Sequence, residues 1–460
     1  MPDFAASEAL KSHIRGDIIR PGDVDYDEAR TVYNGMIDKK PGLIVYCENT
    51  TDVITAVNYA RENELLTAVR GGGHNAGGLG ICDDGMVIDL SRINYVHVDP
   101  DQKTATVGGG ATWGDVDHAT HAYDLAVPSG IVSTTGVGGL TLGGGLGNLT
   151  RTFGLTIDNL LEAEMVLADG STVKTNSEEA PDLFWAIRGG GGNFGIATSF
   201  KFQLHEVSTV YAGPMLWELE DAEDIMKWYR EFIVDADREL NGYFAFLIVP
   251  PVTPFPEHLQ NKNMCGIVWC YAGDLDDADE AFKPIRNLKN IALDLVGPMP
   301  LPDLQSMFDD LYPPGLEWYW KAGYIREWSD AALEKNIKYG SAIPTPLSGM
   351  HLYPVNGAAH DVGNTETAWS HRDANWVENI VGVDPDTVNR EKITTWAREY
   401  WEEAVHPYST GGAYVNFLMR DEGEERIKAT YRENYERLKK IKAKYDPENF
   451  FRVNQNIKPD

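Results

Sequence analysis

Glycine constrains this chain more than any other residue. Before residue 200 it gathers in clusters at 71–73, 77–80, 108–110, 136–147 and 189–195. A residue without a Cβ lets backbone lie against backbone or against a ligand, in conformations closed to other side chains. The first half is therefore built for close main-chain approach. Beyond residue 207 no comparable cluster occurs, and longer amphipathic segments are broken by proline-rich turns.

Two clusters spell a dinucleotide fingerprint. Gly190-Gly191-Gly192-Asn193-Phe194-Gly195 fits G-x-G-x-x-G, and Gly71-Gly72-Gly73-His74-Asn75-Ala76 fits G-x-G-x-x-A. The fingerprint works where the loop leaves a strand and opens a helix aimed at the diphosphate. The first loop instead follows a helix-like stretch, 181–187, and enters a strand-like one, 196–200. The second follows a strand but runs into more glycine and an Asp-Asp-Gly turn. That context argues against a Rossmann fold with a diffusing nicotinamide. It leaves irregular loops whose successive N–H groups converge on an anion, and a diphosphate fits them.

The remaining texture is α+β. Apolar spacing predicts a helix over 51–66 capped by Thr51, then a strand over Thr67–Arg70. Short strands follow at 86–90, 95–98 and 104–107, and a hairpin turns at Ala168-Asp169-Gly170 between 162–167 and 172–175. A domain boundary is expected near Glu206, and 421–445 reads as one charged amphipathic helix. With 460 residues and roughly 100–200 residues per domain, two to four domains are expected.

Acidic residues outnumber basic ones, 70 to 40, for a net charge of −30. A field of that sign repels phosphate backbones, so nucleic acid is not an expected partner. There is no apolar run of about 18 residues, and the N-terminal stretch lacks the features of a signal peptide, so no membrane partner and a cytoplasmic location are expected. Cys47, Cys82, Cys265 and Cys270 form no C-x-x-C and read as free thiols. His118 and His121 sit on an expected exposed helix face, and no metal site is assigned.

Longer motifs now join these loops. They are the Arg70-to-Gly78 loop, Pro128-Ser129-Gly130, the run Gly138-Gly139-Leu140-Thr141-Leu142-Gly143-Gly144-Gly145-Leu146-Gly147, and Phe153-Gly154-Leu155 with Asp158-Asn159. Asp182-Leu183-Phe184-Trp185-Ala186-Ile187-Arg188-Gly189-Gly190 and Tyr445-Asp446-Pro447-Glu448-Asn449-Phe450-Phe451-Arg452 complete the set. Together, and over nearly the full length, they resemble the berberine bridge enzyme-like branch of the vanillyl-alcohol oxidase and p-cresol methylhydroxylase (PCMH) superfamily. The resemblance implies a PCMH-type FAD-binding domain of two α+β subdomains, expected at 1–206. It implies an α+β substrate domain at 207–410, with an antiparallel sheet over the flavin, and a segment at 411–460 that returns to the FAD domain.

The same resemblance implies FAD bonded through its 8α-methyl carbon to His74. Cofactor contacts are expected from Arg70, Gly71, Gly72, Gly73, Asn75, Gly77, Gly78, Pro128, Ser129, Gly130, Thr134, Thr135, Gly136, Gly138, Gly139, Thr141, Gly144, Gly145, Asp158, Asn159, Gly195, Ile196, Asn454 and Asn456. Many members add a second link from a cysteine, but that position holds Val132, and Leu140 stands where such members often have histidine. A single bond is therefore expected, as in the monocovalent, favorskiase-like members. Thr135 occupies the place before Gly136 that the family sets beside the oxygen-reactive flavin edge.

A flavin oxidoreductase must place a C–H over the ring and handle a proton. Period-2 alternation puts Tyr414 and Asn416 on one face of a strand-like 411–417, similar to the family's Tyr-x-Asn-Tyr motif. His351 and Tyr353 share a face of 349–355, where relatives carry polar residues, and His351 is expected to titrate near neutrality. The expected activity is hydride transfer from an alcohol, amine or polyketide-like carbon centre to flavin N5, with O2 as acceptor and a small molecule as substrate. An oxygenase, an oxygen-shy dehydrogenase and a flavin-binding redox sensor stay open, as does the oligomeric state.

Overall fold

A computed structural model describes residues 10–460; residues 1–9, the start of the stretch read for a signal peptide, lie outside it. Three large sheets organise the described residues, beside a two-stranded pair of Leu125–Ala126 with His205–Glu206. The first has the order Ile18–Ile19, Leu43–Tyr46, Met86–Asp89, Thr67–Arg70, and its last three strands run parallel. The second is antiparallel, in the order Val96–Asp99, Thr104–Gly108, Ile196–Gln203, Leu160–Val166, Thr172–Asn176. Its last pair is the hairpin foreseen around Asp169-Gly170.

The chain passes to the third sheet between Glu206 and Thr209. Its long strands are Thr209–Glu218, Asn263–Tyr271, Leu240–Ile248, Gly349–Pro354, Trp376–Asp384 and Glu317–Ile325, in that spatial order and all antiparallel. Alternation gives each strand two destinations. In Leu240–Ile248, Phe244 and Phe246 pack with Tyr229, Trp328 and Leu333, carried on or beside the covering helices Ala222–Asp235 and Asp330–Gly340. Tyr243, Ala245 and Leu247 point the other way, into a cavity.

The C-terminal segment re-enters the glycine-rich half. Leu438 and Ile441 of the helix Tyr435–Tyr445 pack with Leu183, Trp185 and Phe194. Lys442 and Asp446, both buried, pair at 2.6 Å, and the Lys442 ammonium also donates to the carbonyls of Asn193 and Phe451. That knot explains the Tyr-Asp-Pro-Glu-Asn-Phe-Phe motif: Asp446 accepts from the amides of Phe450 and Phe451 and turns the tail back onto loop 191–195.

Local readings differ in three places. The first long helix is Thr50–Glu62, capped by the Asn49 side chain on the Asp52 amide rather than by Thr51. The expected single helix at 421–445 is two, Glu424–Tyr431 and Tyr435–Tyr445, broken where Arg432 takes φ +45°. Segment 411–417 is not a strand: it is irregular and ends in the tight turn Val415–Phe417. Among the described residues no helix is long and apolar enough to cross a membrane.

Candidate active site

The glycine clusters meet around one cavity of about 950 Å³, and the third sheet forms its ceiling. Its floor includes Arg70, Gly71, Gly72, Gly73, His74, Asn75, Gly109, Gly130, Gly136, Gly138, Gly139, Gly195, Ile196 and Asn454. Close approach is literal here. A Cβ on Gly72 would stand 2.5 Å from the Gly136 nitrogen, so two clusters far apart in sequence clasp each other. No protein acceptor among the described residues takes the amide N–H groups of 71–75. A run of free donors on a cavity floor, beside glycines whose missing side chains make room, fits the diphosphate of FAD.

His74 lies on the same floor, its ring stacked on Tyr33 at 3.9 Å. Thr134 Oγ1 is 2.9 Å from Nε2 and Thr135 Oγ1 is 3.4 Å from Nδ1. Burial pushes the imidazole down to about 4, so it is neutral at physiological pH and keeps a nucleophilic lone pair. Val132 and Leu140 line the cavity, and neither side chain is a thiol or an imidazole. All four cysteines are buried, and none lines this cavity.

Tyr414, also buried, lines the same cavity. Its hydroxyl oxygen accepts from the Gly145 amide at 2.8 Å and from Asn416 Nδ2 at 2.7 Å. Asn416 donates to the Leu140 carbonyl as well, and a Cβ on Gly143 would collide with it. Tyr414 and Asn416 are thus neighbours, through a turn rather than through strand alternation. Burial raises the phenol's pKa well above its ordinary value despite the two donors, so the hydroxyl keeps its proton. Rings run in contact from His74 through Tyr33, Trp318, Trp320 and Phe417 to Tyr414, with centroids 3.9, 5.3, 5.8, 5.5 and 4.9 Å apart.

His351 and Tyr353 face the cavity from the ceiling, joined by a 2.9 Å contact between the Tyr353 hydroxyl and Nδ1. Burial lowers His351 to about 4, so it does not titrate near neutrality as expected. Other expected cofactor residues support the cavity without lining it. Thr141 is a buried residue of the helix Val137–Gly143, and Gly144 and Gly145 seat Tyr414. Pro128 accepts from Thr156, Ser129 meets Gln305, the Gly78 carbonyl accepts from Lys39, and Gly77 packs on Arg420. Asn456 faces a smaller neighbouring hollow.

Asp158 and Asn159 are corrected outright. Asp158 is bound by Arg372, and Asn159 is spent on the Phe153 and Leu155 carbonyls and on His205, so neither reaches the cavity. Tyr33 and Asn379 line it and were missed. Tyr33 carries no local signal, whereas strand periodicity would have put Asn379 on the face of Val377 and Val381.

Residues 41–176 match the family model described as FAD binding domain, and 413–458 match that of berberine and berberine-like proteins. An FAD-linked oxidoreductase of Dictyostelium discoideum is 30% identical over 449 residues, covering 97% of this chain and 95% of the relative. The chain belongs to the berberine bridge enzyme-like FAD-linked oxidoreductases. This family membership makes it an FAD-dependent enzyme with the PCMH-type α+β fold. The crystal structure of 6-hydroxy-D-nicotine oxidase from Arthrobacter nicotinovorans superposes with a TM-score of 0.86 at 27% identity, covering 97% of this chain and 98% of that one. Glucooligosaccharide oxidase from Acremonium strictum, which carries a 6-S-cysteinyl, 8α-N1-histidyl FAD, reaches 0.85 at 25% identity, with 99% of both chains covered.

Proposed function

We propose that this protein is a monocovalent flavin oxidase that removes a hydride from an alcohol, amine or polyketide-like carbon and uses O2 as acceptor. The observation that carries the reading is that His74 and Tyr414 line one cavity floored by the glycine clusters. In this reading residues 1–206 and 411–460 hold FAD and 207–410 cover the substrate. The free amides of 71–75 would hold the diphosphate, and the neutral His74 would form the single covalent link. Bound FAD supplies the two-electron acceptor for the substrate's hydride.

The chain's own residues do the rest. Tyr414, with two donors on its oxygen and its own proton retained, orients the substrate's reacting group by hydrogen bonding and does not act as a phenolate base. Asn416 and Gly145 fix that hydroxyl. Thr134 and Thr135 hold the His74 ring, and Thr135 tunes the approach of O2 to the flavin edge. The sheet above covers the cavity with mainly apolar and aromatic side chains. Relatives that oxidise 6-hydroxy-D-nicotine and glucooligosaccharides bracket the chemistry without choosing within it.

Acid precipitation followed by proteolysis tests the link: the yellow colour should stay in the pellet, on a peptide containing His74. Flavin released to the supernatant, or a peptide bridging His74 and a cysteine, would refute it. Hydrogen peroxide equal to substrate consumed supports an oxidase; a shortfall points to oxygen incorporation or to another acceptor.

A further inference from the structure

A trough crosses the cavity ceiling. Leu216, Gly266, Ala245 and His351 stand in register across four neighbouring strands of the third sheet. Three strand spacings of about 4.8 Å put Leu216 roughly 14 Å from His351. Between those two the row holds only a glycine and an alanine. Two residues away along the strands the same face bears Val268 and Tyr243 on one side and Leu247 on the other, and all three line the cavity. Small residues in the row and larger ones beside it make the trough.

Its far end offers nothing to a polar ligand. Leu216 leans over Gly266, where a Cβ would stand 2.4 Å from its Cδ2. Phe255 packs on the cluster that holds Leu216, and Leu295, whose amide donates to the Pro214 carbonyl, lines the cavity beside it. Leu247, Phe255 and Leu295 are only partly buried, apolar surface of the kind that a ligand ordinarily covers. The polar side chains of the ceiling gather at the other end, where Tyr243, Tyr353 and Asn379 surround His351. Ser348 spends its hydroxyl on the Val383 carbonyl and Tyr312 donates to the Leu347 carbonyl. An oligosaccharide lying along the trough would leave its hydroxyls unpaired, and a charged tail would find no counter-ion in the row. A hydrocarbon chain would exchange water for apolar walls.

We propose that the trough from Ala245 to Leu216 is a tail site, which holds an uncharged aliphatic chain of the substrate while the reacting carbon lies beside Tyr414. With bonds of about 1.5 Å laid in a zigzag, roughly ten carbons span it. The proposal rests on the cavity being the oxidation site, and it narrows the substrate class to molecules that carry a long apolar tail.

Flavin-loaded protein is titrated in a calorimeter with 1-butanol, 1-hexanol, 1-octanol and 1-decanol, and with cellobiose. Affinity in wild type should rise at least ~2-fold for each added methylene, as burial of hydrocarbon requires, and cellobiose should bind more weakly than 1-decanol. In Ala245→Phe, whose ring fills the trough, the gain per methylene should fall below about 1.3-fold, since the added carbons stay in water. Phe255→Asp, on a loop rather than in the sheet, sets a charge at the far end and covers the case in which the first variant misfolds. It should weaken 1-decanol at least ~5-fold and leave 1-butanol within about 2-fold of wild type. Affinity independent of chain length in wild type, tighter binding of cellobiose than of 1-decanol, or an unchanged gain per methylene in both variants overturns the proposal. Flavin content and anaerobic bleaching are read on the same samples, so failure of the oxidase reading registers separately from failure of the tail site.

Discussion

Arg372 grips Asp158 in a two-pronged ion pair, Nη1 to Oδ2 and Nη2 to Oδ1, both at 2.7 Å, with both side chains nearly excluded from solvent. Asp158 belongs to the glycine-rich half and Arg372 lies just before the strand Trp376–Asp384 of the third sheet, so the pair ties the third sheet to the glycine-rich half.

Asp158→Asn should therefore act on stability rather than on cofactor chemistry. Removing one member of a buried pair strands the other charge and typically costs about 3–5 kcal/mol. The variant should melt at a clearly lower temperature yet retain its flavin when purified in the cold. An unchanged melting temperature, or flavin loss without destabilisation, would return Asp158 to the cofactor site.

Attachment of FAD should be nearly independent of pH above 5. An ordinary imidazole, with its pKa near 6.5, is about nine-tenths protonated at pH 5.5 and would slow attachment roughly 10-fold relative to pH 8. Burial holds His74 at about 4, so it is already neutral at pH 5.5. Apo-protein incubated with FAD, denatured at intervals and scored by flavin fluorescence in gels should show under about 2-fold variation across that range. A 10-fold fall at pH 5.5 would contradict the neutral-histidine assignment.

Tyr414→Phe keeps the ring against Phe417 but removes the hydroxyl held by Gly145 and Asn416. Anaerobic flavin reduction should slow at least ~10-fold, towards the lower part of the range for acid–base participation, with flavin attachment unchanged. Because burial raises the phenol's pKa, the wild-type reduction rate should show no rise between pH 7 and 9 assignable to Tyr414. Wild-type kinetics in the variant would make the tyrosine a packing residue.

Glu378 sits on the helix side of the third sheet, fully buried and near Asn336 and Tyr400. Burial lifts its pKa from 4.5 to about 8, with Asn336 pulling the other way. The folded state thus holds a proton that the unfolded chain releases: stability is undiminished below about pH 4.5 and falls as pH rises through 8. Glu378→Gln should match wild type near pH 4.5 and exceed it at pH 8 by on the order of a few kcal/mol. Melting curves at the two pH values decide it, and an equal difference at both would dismiss the linkage.

Much of the flavin half was legible because its signals are local. Glycine clusters mark backbone contacts, alternation marks strands such as Gly349–Pro354, and Asp169-Gly170 marks its hairpin. What stayed hidden depends on tertiary partners. Asp158 resembles a cofactor ligand until Arg372, more than two hundred residues away, is seen to occupy it. His351 looks titratable until the sheet buries it. Tyr33 is one tyrosine among 21 until the fold stacks it on His74. The pairing of Tyr414 with Asn416 was anticipated for the wrong reason, since a turn achieves what alternation was expected to do.

The buried lysine and aspartate at 442 and 446 bear on the order of events in the cell. They anchor a tail whose Asn454 and Gln455 complete the cavity wall, while His74, the residue proposed to carry the flavin, is made nearly four hundred residues earlier. A ribosome still translating this message displays the histidine loop without its closing wall. Cofactor capture therefore belongs to the finished polypeptide, and nascent chains stalled before that point should accumulate without colour however much FAD is supplied.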